Sequence, residues 1–156
     1  MPGPGGVRMG DWVQEVELLI NPAIFAVGDL MGNPVEVPYV TMDNGSSVVQ
    51  SVVVTDYDNA GAALHLVFFD EAPGPLGAPN AAMAITDAQA AMVCGVVPVA
   101  ATDYSDLGAQ QVATVRGVGL EVHPVNGTSL WVAPKSMGTG TYATGRLTVR
   151  VGLLRG

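Results

Sequence analysis

Interruption decides what this chain can fold into: 25 valines are broken up by 20 glycines and 11 prolines over 156 residues. β-branched side chains favour the extended chain, while glycine and proline weaken or end helices. The expected class is therefore all-β, an antiparallel β-sandwich or jelly-roll-like barrel with one short helix. A chain of this length suits a single domain that buries roughly 70% of its unfolded surface. No internal repeat or second domain is visible.

Alternation places the strands. In Asp11 to Ile20, Trp12, Val16, Leu18 and Ile20 share one side of an extended chain and Glu15 and Glu17 the other. Gly145 to Leu154 is the cleanest half-buried pattern, with Leu147, Val149, Val151 and Leu153 on one face and Arg146, Thr148 and Arg150 opposite. A short segment is expected at Phe25 to Met31. Asn44 and Gly45 separate Val37 to Met42 from Ser47 to Thr55, and Asp58, Asn59 and Gly61 separate that strand from Ala63 to Phe69. Because Asn and Gly tolerate the positive φ of tight turns, the three strands are predicted to form a meander. Val52, Val53 and Val54 run consecutively, which puts the middle strand inside a sheet or beneath a partner.

Further strands are expected at Val93 to Val99, Gln111 to Val115 and Val118 to Val125. Asn126 and Gly127 then predict a hairpin into Thr128 to Ala133. Its register would place Val122 opposite Trp131 and Leu120 opposite Ala133, leaving Glu121, His123, Leu130 and Val132 on the other side. Pro73, Gly74, Pro75, Gly77 and Pro79 make Asp70 to Pro79 a long surface loop, expected to contact other subunits or stay mobile. Thr86 and Gln89 carry the spacing of a capping box, so one helix of one or two turns follows.

Charge is sparse and sorted. Charged residues are 13% of the chain, against about 25% in an ordinary soluble domain, and mean hydropathy is +0.37. The apolar side chains therefore exceed what one core needs. No apolar run approaches the ~18 residues of a membrane span, and Met1 to Gly10, Pro- and Gly-rich with a single Arg8, has no apolar signal core. Burial against other protein subunits is the remaining outlet. Residues 1–115 carry a net −12 and residues 116–156 a net +4, so the two segments can attract each other within one fold or between copies. Arg146 and Arg150 are expected to meet carboxylates of the acidic segment, across the sheet or on a neighbouring copy. With Glu121, His123, Leu130 and Val132 they form the candidate subunit interface. An acidic chain with so small a basic cluster is a poor nucleic-acid binder.

Sites for chemistry are not expected. Cys94, the only cysteine, sits between Val93 and Gly95 without a basic neighbour to activate it. Asp56, Asp58, Asn59 and Gly61 open like an EF-hand loop, but Val67 stands where the bidentate Glu belongs. His65, His123 and one distant Cys have no zinc-ligand spacing. No nucleophile elbow or phosphate loop occurs, and adjacent Asp70 and Glu71 diverge on a strand. The reading is of a non-enzymatic protein with no catalytic residue, metal or cofactor.

Three stretches carry a family likeness. Phe25, Ala26, Val27, Gly28, Asp29, Leu30, Met31, Gly32 resembles the aromatic, Gly, Asp, hydrophobic, Gly element near the start of tailed-bacteriophage head decoration (cement) proteins. Val49 to Asp56 followed by Ala63 to Asp70, with two aromatics before the Asp, resembles their central hairpin. Thr141 to Val149 is similar to their last strand. The likeness covers most of residues 20–154, leaving residues 1–19 as an arm and first strand outside a decoration-like domain of residues 20–156. It implies a virion protein, made in the host cytoplasm, that binds the outer surface of a capsid and clamps neighbouring capsomers. Its implied partners are the major capsid protein and further copies of itself, as homodimer or homotrimer, with neither nucleic acid nor membrane. A tail or baseplate subunit fits the same residues, and a carbohydrate-binding β-sandwich would need an exposed aromatic platform.

Overall fold

A computed structural model describes residues 10–43 and 45–155, so the arm Met1 to Met9 and the Asn44 half of one expected turn lie outside the described residues. In chain order the strands are β1 (Gly10–Leu19), β2 (Ala23–Ile24), β3 (Val35–Val37), β4 (Ser47–Asp56), β5 (Leu64–Phe69), β6 (Val93–Val99), β7 (Tyr104–Asp106), β8 (Gln111–Val122), β9 (Leu130–Ser136), β10 (Thr141–Tyr142) and β11 (Arg146–Arg155). One α-helix, α1 (Asp87–Met92), precedes β6. The fold is an all-β antiparallel sandwich. One sheet has the order β1-β11-β4-β8-β7, the other β3-β9-β5-β6, and β2 pairs with β10 as a small ribbon.

Alternation builds the layer between the sheets. Leu18, Val54, Leu147, Val149 and Val151 from the five-stranded sheet meet Leu64, Leu66, Phe68, Leu130 and Val132 from the four-stranded one, all fully buried. Each such side chain contributes about 1.5–3 kcal/mol through burial. Along β11 the expected faces are observed, with Leu147, Val149, Val151 and Leu153 inward and Arg146 and Arg150 exposed. The Val52 to Val54 strand lies inside its sheet, between β11 and β8. The capping box also forms: Thr86 Oγ1 accepts from the Gln89 N–H at 3.1 Å, and Gln89 Oε1 accepts from the Thr86 N–H at 2.9 Å.

Strand pairing departs from the local signals. The expected meander does not form, because β4 and β5 belong to opposite sheets. The strand expected at Val37 to Met42 is β3 instead, ending at Val37 before Tyr39 turns with φ 56°. At the β4–β5 corner the Asp56 carboxylate accepts from the N–H groups of Asp58 (2.9 Å) and Gly61 (2.8 Å), which redirects the chain across the sandwich rather than back along β4. Asn126 and Gly127 likewise lie in a crossover: β8 pairs with β4 and β7, whereas β9 pairs with β3 and β5. The two strands expected at Gln111 to Val115 and Val118 to Val125 are one strand, kinked by Gly117 and Gly119 at φ 65° and 66°. Only glycine takes such angles without steric cost, and the register against β4 shifts nearby, between Val49 and Ser51.

The Pro-rich loop packs on the fold itself. Leu76, with no exposed surface, packs with Leu30, Val67, Phe69 and Ala133 in a second apolar cluster on the outer side of the four-stranded sheet. Backbone bonds from Leu30 N–H to Ala81 O (2.8 Å), Asn80 N–H to Leu30 O (2.7 Å) and Ala84 N–H to Leu76 O (2.9 Å) stitch this cover down. The Gln89 amide NH2 completes it by donating to the carbonyls of Pro73 (2.9 Å) and Pro75 (2.8 Å).

Candidate functional site

The outer face of the five-stranded sheet carries exposed side chains, among them Glu15, Glu17, Thr114 and Arg116. Register sets its rows: Glu17, Thr148, Thr55 and Val112 lie side by side, then Glu15, Arg150, Val53 and Thr114, then Val13, Gly152, Ser51 and Arg116. Apart from the charged ones these side chains are short or β-branched, so few of them project far from the sheet. Arg146 meets Glu17 at 3.7 Å and Arg150 meets Glu15 at 3.8 Å, all four side chains more than half exposed. The expected pairing of these arginines with the acidic segment thus occurs across the sheet. The Arg146 guanidinium also stacks 4.1 Å from the centre of the Tyr57 ring, and Arg155 stacks 3.9 Å from that of Trp12. Exposed Val13, Leu19 and Leu154 add apolar area at the margins of the face.

The six candidate interface residues do not share one surface. Arg146, Arg150 and Glu121, which pairs with Val48, lie on the five-stranded sheet. His123 lies just past the end of β8, where with Glu121, Ser47 and Arg155 it lines a cleft of about 560 Å³. Leu130 and Val132 are corrected outright: both are wholly buried in the core between the sheets. Their assignment assumed the Asn126–Gly127 hairpin, and the crossover turns β9 so that Trp131 and Ala133 face the other way.

The groups singled out for chemistry have structural partners. Asp58 accepts from the Thr144 hydroxyl (2.6 Å), the Thr144 N–H (2.8 Å) and the Arg146 N–H (3.2 Å). Burial works to raise its pKa, yet the hydrogen bonds from residues 144–146 outweigh it and hold the carboxyl below the usual range. The EF-hand-like segment is therefore a clasp joining the β4–β5 corner to the start of β11. Burial, reinforced by Asp70, pushes the Cys94 thiol up to about 11, so it stays protonated at neutral pH. Burial and cross-strand Lys135 hold His65 below its usual value. Among the described residues, no three His, Cys, Asp or Glu side chains converge as a metal site.

One feature was missed in the sequence. Trp131, half-buried on the outer side of the four-stranded sheet, forms the floor shared by two adjoining grooves. The smaller, about 300 Å³, is walled by Pro34, Gly74 and Pro75, and the larger, about 550 Å³, by Glu36, Glu71 and Thr128. The Pro-rich loop hinted at one wall, but nothing local brings Pro34 and Trp131 to it.

No protein-family model and no curated protein matches the sequence. Among solved structures, a chain of Desmodium yellow mottle tymovirus aligns over 99% of this chain and 86% of its own, at 9% identity and a TM-score of 0.27. A chain of the empty head of turnip yellow mosaic virus aligns over 98% and 84%, at 13% identity and a TM-score of 0.28. Both are virus structures, and likenesses this distant carry no argument about what this chain does.

Proposed function

We propose that this protein is a non-enzymatic structural subunit of a phage virion that binds the outside of the capsid and stabilises the shell by clamping neighbouring capsomers. The observation that carries the reading is the asymmetry of the sandwich: the Pro-rich loop and α1 cover an apolar cluster on the outer side of one sheet, while the outer face of the other carries exposed Arg–Glu pairs with no such cover among the described residues. Such a face can lie against a broad protein surface, and its Arg–Glu pairs can exchange partners there. The resemblance of residues 20–154 to head decoration proteins supplies the class of partner, a major capsid protein. Further copies of the chain, as dimer or trimer, would supply the remaining apolar burial.

The test is reconstitution. Purified protein added to particles that lack it should bind and raise their resistance to heat and osmotic shock, because a ligand specific for the assembled shell stabilises it by mass action. Absence from native particles together with failure to bind them overturns the reading.

A further inference from the structure

We infer that the Trp131 groove is the docking site for the chain's own N-terminal arm, residues 1–9. The groove is apolar where it is narrow and acidic where it is wide: Pro34, Pro75 and the Trp131 indole line one part, and Glu36 and Glu71 border the other. Neither carboxylate has an ion-pair partner among the described residues. Indole and proline surfaces of this kind accept extended proline-bearing segments, whose restricted φ lowers the entropy lost on binding. The arm reads Met-Pro-Gly-Pro-Gly-Gly-Val-Arg-Met, so it combines Pro2 and Pro4 with Arg8, the one basic residue in the first 115. Prolines against Trp131 and the guanidinium against Glu36 and Glu71 would match both halves of the groove.

Reach and rigidity support the assignment. The arm joins the fold at Gly10, which pairs with Arg155. Arg155 donates to the Tyr39 carbonyl at 3.2 Å, and the next residue, Val40, donates its N–H to the carbonyl of Thr128 at 2.9 Å, on the groove wall. Gly10 is thus linked through Arg155, Tyr39 and Val40 to the groove wall at Thr128, and nine extended residues span about 30 Å. The Gln89 bonds to the Pro73 and Pro75 carbonyls hold the loop wall in place before anything binds, which reduces the ordering cost of docking. A tether this short gives an effective concentration in the millimolar range, so even a weak contact is populated within one chain. The inference does not depend on a virion role.

Fluorescence tests it. In a Trp12→Phe background Trp131 is the only tryptophan, and acrylamide quenching reads its exposure. The full chain should quench about twofold less than the same protein lacking residues 1–9, as expected for a contact of millimolar strength held by a short tether. A synthetic peptide of residues 1–9 should restore protection to the truncated protein in a saturable way. Pro2→Ser with Pro4→Ser should remove the protection in the full chain, and Arg8→Glu should weaken it most at low salt. Circular dichroism should be unchanged throughout, which separates lost docking from lost fold. Equal quenching with and without the arm, or no response to the peptide, overturns the inference. Protection that appears only as protein concentration rises overturns the assignment to the chain's own arm.

Discussion

The two sheets of the sandwich solve the same problem differently. The four-stranded sheet buries apolar side chains on both sides: along β5, Leu64, Leu66 and Phe68 face the central core while Val67 and Phe69 face the second cluster under Leu76. The five-stranded sheet is apolar on one side only, and its outer face carries the Arg–Glu pairs and a carpet of Thr, Ser and Val. An apolar outer face obliges the chain to cover it, here with the Pro-rich loop and α1. A polar outer face makes no such demand and stays available to another molecule.

Substitutions can break this comparison, and the largest effect should come from the covered side. Phe69→Ala should cost about 3–5 kcal/mol in chemical denaturation, as much as Phe68→Ala in the central core, because both rings are wholly buried. Thr114→Ala on the open face should stay within about 0.5 kcal/mol. If Phe69→Ala were equally mild, the loop would be a loose flap and the contrast between the sheets would vanish.

Next in size is the clamp on the cover. Gln89→Ala removes the helix cap contact and both bonds to the proline carbonyls, and should cost about 1–2 kcal/mol. Limited proteolysis should then cut within residues 72–79 faster than in wild type, with no change on the five-stranded sheet. Unchanged cleavage there would show that Leu76 alone anchors the loop.

Acid should act on the clasp. A carboxyl whose pKa is lowered on folding adds stability that is fully present above its unfolded value, about 3.9, and lost as pH falls through the folded one. Asp58 is such a group. Asp58→Asn should therefore lower stability near neutral pH and converge on wild type in acid, followed by denaturation at a series of pH values. A constant difference across the acid range would remove the ionised clasp from the account. His65, also lowered, is disfavoured in its protonated form by burial and Lys135, so stability again falls as pH drops below its ordinary value of 6.5.

The smallest effect on the isolated protein is expected for Arg146→Gln with Arg150→Gln. Exposed pairs contribute about 0–1 kcal/mol, so melting should hardly move. Binding to particles should weaken and lose much of its salt dependence, since charge across an interface sets register and encounter. Binding as tight as wild type at both low and high salt would show the open face is not the one used.

What the sequence determined by itself is whatever depends on near neighbours. The inward and outward faces of β11 follow from a period of two, the capping box from a spacing of three, and the span of β6 from an apolar run between a helix end and a turn. All-β class follows from the same local preferences. Partnership between strands was not legible, and so neither was the candidate site. Asp58 to Gly61 and Asn126–Gly127 permit positive φ, but a turn residue does not state whether the chain returns to its own sheet or crosses to the other. That choice is made by burial of side chains far apart in sequence, such as Phe69 beneath Leu76 and Val132 beside Phe68. Leu130 and Val132 consequently lie in the core, and Trp131, read as a hairpin partner of Val122, became the floor of a groove. Only the tertiary structure could decide which sheet would be covered and which left open, because contacts between distant residues stabilise one pairing over another while local geometry permits both.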